Sequence, residues 1–211
     1  MAAGGGARFG GAKQFAQLRG RTLAEWSLAA ARSVAGGDTD GVVLVLPADA
    51  LDGEQGATDR GADAVVAGGA TRAASVRAGL AAVPAEAAIV VVHDGARPLA
   101  SPALFAAVVD AVAAGADGAV PGIPVADTLK RVDGDTVSAT LARDGLVAVQ
   151  TPQAFRADVL RRAHAQEPDA TDDAALVEAL GATVRVVPGD PRNIKVTDRR
   201  DLDVADALAA S

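Results

Sequence analysis

Short β-branched runs alternate along this chain with Ala-rich stretches of helical period, and this alternation narrows the fold more than any other feature. Val42 to Leu46, Ala64 to Val66, Ile89 to Val92, Ala119 to Pro121 and Thr183 to Val187 read as strands. Thr22 to Val34, Thr71 to Val83, Pro102 to Ala114, Ala157 to Gln166, Asp172 to Leu180 and Asp201 to Ala210 read as helices. Strands of continuous aliphatic residues separated by helices are the pattern of a mostly parallel sheet buried on both faces, so the predicted class is α/β with helices on both sides. Thr71, Ser101 and Thr171 are predicted helix caps. Asp172 and Asp173 after Thr171 put negative charge where a helix dipole favours it.

Val125 to Phe155 breaks the alternation, with strand-like residues flanking Asp133-Gly134 and Asp144-Gly145, both strong turn signals. This stretch, 125–155, predicts an arm of hairpins projecting from a single domain spanning 1–211. An exposed arm with apolar residues is either a dimerisation hazard or a dimerisation device; the device is the preferred reading, so a homodimer is expected. The start of the chain is unusual. A doubly wound fold places a strand ahead of its first Gly-rich loop, yet Gly4 to Gly6 follow Met1 almost directly. The first strand is therefore expected to be missing upstream of residue 1: either the start lies further upstream or the sheet lacks a central strand.

Several function classes are excluded early. The chain has no cysteine, so it has no disulfide framework, thiolate metal site or Cys nucleophile. Gly, Pro and charges interrupt every apolar run, so no membrane span is expected, and the first residues lack the features of a signal peptide. A cytoplasmic location is expected. A net charge of -7 disfavours nucleic acid as a partner while leaving room for a small anion held by a few cations.

Gly4-Gly5-Gly6-Ala7-Arg8 is a loop whose backbone amides can approach phosphates closely, although a Gly cluster alone is also what a flexible terminus looks like. It is neither a P-loop, since no GKS or GKT is present, nor a dinucleotide fingerprint, since Phe9 stands where a third Gly is needed. Arg8 and Lys13 add two cations suited to the charge of a transferring phosphoryl group. Asp94 follows the most apolar strand, at the carboxyl end where open α/β sheets bind ligands, and is placed to hold a hard cation such as Mg²⁺ or to pair with Arg97. His93 has no visible Ser or Asp partner arrangement and reads as structural. Lys195 follows the final strand.

Ala2-Ala3-Gly4-Gly5-Gly6-Ala7-Arg8, continuing to Lys13-Gln14, resembles the signature loop of the sugar-phosphate cytidylyltransferases, with Ala12 where that family usually has Pro. Four further segments match in order: Gly68-Gly69-Ala70-Thr71-Arg72-Ala73-Ala74-Ser75-Val76, His93 to Pro98, the arm, and Thr171-Asp172-Asp173-Ala174 with Asn193-Ile194-Lys195-Val196-Thr197. The resemblance implies a Rossmann-like nucleotidyltransferase fold. It implies CTP binding by Ala2, Ala3, Gly4, Gly6, Gly68, Gly69, Ser75 and Asp94, with Asp94 also the Mg²⁺ ligand. It further implies catalytic roles for Arg8, Lys13 and Lys195. Thr128, Arg143, Thr151 and Thr171 are implied to bind a small sugar-alcohol phosphate, partly across a dimer.

The implied reaction is attack of a substrate phosphate oxygen on the α-phosphorus of CTP, with pyrophosphate leaving. Gly95-Ala96 after Asp94 resembles the group acting on 2-C-methyl-D-erythritol 4-phosphate, in isoprenoid precursor synthesis, more than the ribitol 5-phosphate group. The alternatives are a ribitol 5-phosphate enzyme or a nucleotide-binding relic without turnover, the latter supported only by Ala12 and the missing strand.

Overall fold

The computed structural model describes residues 1–4, 9–34, 41–51, 61–166, 170 and 172–210. Their elements, in chain order, are β1 (Gln17–Leu18), β2 (Arg21–Thr22), α1 (Leu23–Arg32), β3 (Val43–Leu46), β4 (Ala64–Ala67) and α2 (Arg72–Ala81). There follow β5 (Ile89–Val92), α3 (Pro102–Ala113), β6 (Gly118–Pro124), β7 (Leu129–Asp133), β8 (Thr136–Leu141) and β9 (Val147–Val149). The chain ends with β10 (Gln153–Arg156), α4 (Ala157–His164), α5 (Asp173–Ala179), β11 (Val184–Pro188) and α6 (Arg199–Ala209).

The central sheet runs β11-β6-β10-β5, with β9 also paired to β6. Period-two alternation in its strands feeds two separate layers. Val90, Val92, Val120 and Phe155 face α2, α4 and α5, in one cluster with Val76, Leu160 and Val177. Ala119 and Ala154, with Ile89 and Val91, instead meet Val108 and Val112 of α3. Helices therefore cover both faces, as the sequence predicts. With so few aromatics, Phe155 is the largest fully buried side chain, and removing its ring would cost about 3–5 kcal/mol. It fits because position 118 is Gly: a Cβ there would lie 2.7 Å from the ring.

The expected parallel order is only partly present. β11 pairs with β6 in parallel and β3 with β4 in parallel, but β10 runs antiparallel to both β5 and β6. Gln153 to Phe155, read from the sequence as the end of the arm, instead form this buried central strand. The reason lies in the connection. The chain leaves β6, turns through β7 to β9, and returns beside β6 without a crossover helix, which only antiparallel pairing allows. Within the stretch, β9 pairs with β6, while β7 and β8 form a two-stranded sheet of their own, reversed at Gly134, whose φ of 59° suits a residue without Cβ.

The pair β3–β4 is a separate sheet, and the first two residues tie it to the centre. Ala2 N donates to Val45 O at 2.8 Å, the Met1 amino group to His93 O at 2.7 Å, and Gly95 N to Met1 O at 2.7 Å. Met1 and Ala2 thus stand where the sequence reading expects a central strand. Thr71 and Ser101 cap α2 and α3 as predicted. Asp172 caps α5, and Thr171 lies outside the described residues. Among the described residues, no helix is long and apolar enough to cross a membrane.

Candidate active site

The chain start and the loops at the carboxyl ends of β4, β5 and β11 are held to one another by close packing of small residues and by short hydrogen bonds. At Gly68 a Cβ would lie 2.3 Å from the Cβ of Ala3 and 2.9 Å from Ser75 Oγ. At Gly95 it would lie 3.0 Å from the Cβ of Ala2. The approach at Gly68 is closed to a residue with a Cβ, and at Gly95 a Cβ would fit only if Ala2 gave way by a few tenths of an ångström. Ser75 Oγ accepts from Gly69 N at 3.1 Å and lies 2.9 Å from Thr71 O, so the residue shapes the Gly68-Gly69 turn from within α2. Ala2, Ala3, Gly68, Gly69 and Ser75 are therefore brought together. Gly4 is described and exposed. Gly6 and Arg8 lie outside the described residues, as does Thr171.

Asp94 is the electrostatic centre of this region. Burial alone would push its carboxyl up, but Lys195 Nζ at 2.7 Å and Arg72 Nε at 3.8 Å outweigh that and hold it at about 2, so it is ionised at neutral pH. Lys195 arrives on the segment after β11, where Val196 N donates to Ala96 O at 2.8 Å. Lys13 Nζ donates to Val196 O at 3.0 Å. Lys13, Lys195 and Asp94 thus sit on adjoining segments.

Beneath Asp94 lies a layer of buried polar groups. Asp94 N donates to Thr151 Oγ1 at 3.0 Å, and that hydroxyl lies 3.2 Å from His93 Nδ1. His93 Nε2 faces Arg97 O at 3.1 Å, which requires the proton on Nε2 and leaves Nδ1 to accept from Thr151. Burial pulls the His93 pKa down to about 3, consistent with a neutral ring. Asn193 Nδ2 donates to Thr151 O at 2.9 Å, and Gln150 Nε2 donates to Asp190 O at 2.9 Å. Arg97, read from the sequence as a candidate partner of Asp94, instead donates to Asn193 O at 2.8 Å. Thr151, expected to touch substrate, has its hydroxyl occupied by these bonds and is 5% exposed.

Thr128 and Arg143 lie apart from this cluster, exposed beside β7 and β8, with Arg143 Nη1 donating to Ala126 O. Sequence reasoning missed Arg72, Gln150 and Asn193. All three lie inside the segments quoted above, but nothing in their residue types reveals that they turn inward.

The donor set suits a hard cation only in part. Among the described residues no group of three or more His, Cys, Asp or Glu side chains forms a cage. Asp94 supplies one ionised carboxylate, which fits Mg²⁺ in the way that ion is commonly held: by one or two carboxylates, with substrate phosphates and water completing the shell.

A family profile for 2-C-methyl-D-erythritol 4-phosphate cytidylyltransferase matches residues 1–211. The 2-C-methyl-D-erythritol 4-phosphate cytidylyltransferase of Deinococcus radiodurans is 44% identical over 98% of this chain and 86% of its own length. A bifunctional IspD/IspF enzyme of Solidesulfovibrio magneticus is 46% identical over 99% of this chain, which spans only 56% of that protein. Among solved structures, the cytidylyltransferase of Thermus thermophilus superposes with a TM-score of 0.82 at 41% identity, covering 100% of this chain and 96% of the other.

Proposed function

Because the chain belongs to the 2-C-methyl-D-erythritol 4-phosphate cytidylyltransferase family, we propose that it transfers CMP from CTP to 2-C-methyl-D-erythritol 4-phosphate and releases pyrophosphate. The observation that carries this reading is the clustering of Lys13, Lys195 and Asp94 beside the Ala2-Ala3 and Gly68-Gly69 turns. In the proposed step a phosphate oxygen of the sugar alcohol attacks the α-phosphorus of CTP. A new P–O bond forms as the bond to the β-phosphate oxygen breaks, and the electron pair leaves with pyrophosphate. No side chain is consumed. Lys13, Lys195 and Arg8 would neutralise charge on the reacting phosphates, so positioning and electrostatics supply the catalysis.

Bound at Asp94, Mg²⁺ would supply charge neutralisation of the triphosphate. Ala2, Ala3, Gly4, Gly6, Gly68, Gly69 and Ser75 would receive the nucleotide through backbone and hydroxyl groups. Thr128, Arg143 and Thr171 would meet the second substrate, and the hairpin would serve as a dimerisation arm on a Rossmann-like core. The exposure of Val132, Val137, Leu146, Val147 and Val149 favours a partner surface there.

The test is pyrophosphate release by the purified protein with CTP and Mg²⁺, offering 2-C-methyl-D-erythritol 4-phosphate and ribitol 5-phosphate in parallel. Release with the first alone is expected. Release with ribitol phosphate instead would overturn the substrate assignment, and silence with both would overturn the enzymatic reading.

A further inference from the structure

A line of charged and polar side chains runs from the helical layer into the candidate site. On α4, His164 Nε2 lies 2.9 Å from Oδ1 of Asp173, and both side chains are at most 2% exposed. Oδ2 of Asp173 lies 2.8 Å from Arg72 Nη1. Arg72 Nε in turn lies 3.8 Å from Oδ1 of Asp94, whose Oδ2 is taken by Lys195 at 2.7 Å. Only the last two residues have a role so far.

Core packing does not explain this line. The neighbouring residues of α4 and α5 are Val159, Leu160, Ala163, Ala174 and Val177, a layer in which a carboxylate is an expensive occupant. What the buried carboxylate does achieve is visible in the two distances to Arg72. The guanidinium sits on Asp173 and stands a full ångström further from Asp94. An Arg freed from behind would close on the second Asp94 oxygen, since an unopposed guanidinium and carboxylate seek a direct pair. Asp94 would then be engaged by cations on both oxygens and would have none to offer a divalent ion.

We propose that Asp173, itself set by His164, is a positioning residue that holds Arg72 back from Asp94 and so keeps Asp94 Oδ1 open for the cation that accompanies the nucleotide. The role rests on the assignment of Asp94 to the metal made above, and it adds three side chains that act through one another.

The experiment reads Mn²⁺ binding in the presence of CTP by electron paramagnetic resonance, alongside turnover at varied Mg²⁺. Asp173→Asn should weaken Mn²⁺ by roughly tenfold, the usual cost of losing a group that orients a metal ligand, and raise the Mg²⁺ needed for half-maximal rate in proportion. Adding Arg72→Met to Asp173→Asn should recover the affinity, because the competing cation is gone. A merely structural role predicts the opposite, with a second deletion in the same network deepening the loss. Affinity unchanged in Asp173→Asn, or losses that accumulate in the double variant, would overturn the proposal while leaving the wild-type activity and the functional reading intact. A wild-type chain that neither binds Mn²⁺ with CTP nor turns over would overturn both. Should Asp173→Asn fail to fold by circular dichroism, His164→Leu carries the same test with both charges kept. Its expected loss is about threefold, again recovered by Arg72→Met, and an unchanged affinity there would overturn the proposal as well.

Discussion

The floor beneath Asp94 and the β7–β8 hairpin both carry residues implied to meet substrates, yet they are built in opposite ways. In the floor, Thr151, His93, Asn193 and Gln150 are each buried; Thr151, Asn193 and Gln150 bond to backbone of distant segments and His93 Nδ1 meets the Thr151 hydroxyl, so a single chain fixes the geometry. On the hairpin, Thr128 and Arg143 are exposed, and the apolar residues Val132 and Val137 are 58% and 55% exposed. A two-stranded ribbon of this kind is only marginally stable by itself. The contrast teaches that the layer beneath Asp94 is self-supporting, while the hairpin leaves apolar residues uncovered within one chain.

The largest effect should come from the cations that the floor presents. Lys195→Ala is expected to lower turnover by about two orders of magnitude, the scale of losing one preorganised charge or donor. Its melting temperature should fall as well, because Asp94, whose side chain is 12% exposed, loses the nearest cation that offsets its burial. Steady-state kinetics and a melting curve check both halves. Near-normal turnover would remove Lys195 from the reacting centre and leave the floor a scaffold only.

Stability should separate the two regions next. Thr151→Val is nearly isosteric but deprives Asp94 N and His93 Nδ1 of their buried partner. It should cost about 2 kcal/mol, which lowers the melting temperature by roughly 4–8 °C in a domain of this size. The double substitution Val132→Ser and Val137→Ser should stay within about 0.5 kcal/mol, as exposed changes do, yet it should reduce any dimer seen by sedimentation. Equal destabilisation by both would erase the contrast.

How much of this was legible beforehand follows the same division. The strands and helices around the sheet were readable because their aliphatic runs and helical periods are local, as at Ile89–Val92 and Pro102–Ala113. The hairpin turn was readable from Asp133-Gly134, where the local backbone demands Gly. The direction of β10 was not, because Gln153 to Phe155 carries no mark of being a central strand. Its place is decided by pairing with Val90 to Val92, about sixty positions earlier in the chain. Lys13, Asp94 and Lys195 stood out as charges in matching motifs. The inward turn of Arg72, and the use of the Thr151 hydroxyl beneath Asp94, depend on tertiary neighbours that no spacing reveals.

A further expected effect is a pH dependence that the floor shares with the buried Met1 amino group, whose pKa burial lowers from its ordinary value. His93 is held neutral by burial, with its pKa lowered from 6.5 to about 3. Between those values the unfolded chain binds a proton that the folded chain refuses, so stability must fall as pH falls through this window. Each pH unit below 6.5 removes up to about 1.4 kcal/mol. Asp94, lowered from 3.8 to about 2, adds to the loss only below pH 3.8, because its stabilising ionisation persists above that value. Melting curves between pH 7.5 and 4.5 should therefore slope downward toward acid. His93→Asn, which keeps an acceptor near Nδ1 but no longer titrates, should lessen that slope and leave the part due to the Met1 amino group, whereas the hairpin double substitution should leave it as it is. A slope unchanged by His93→Asn would assign the acid sensitivity to groups outside the floor, and with it would go the argument that this buried layer is what fixes Asp94.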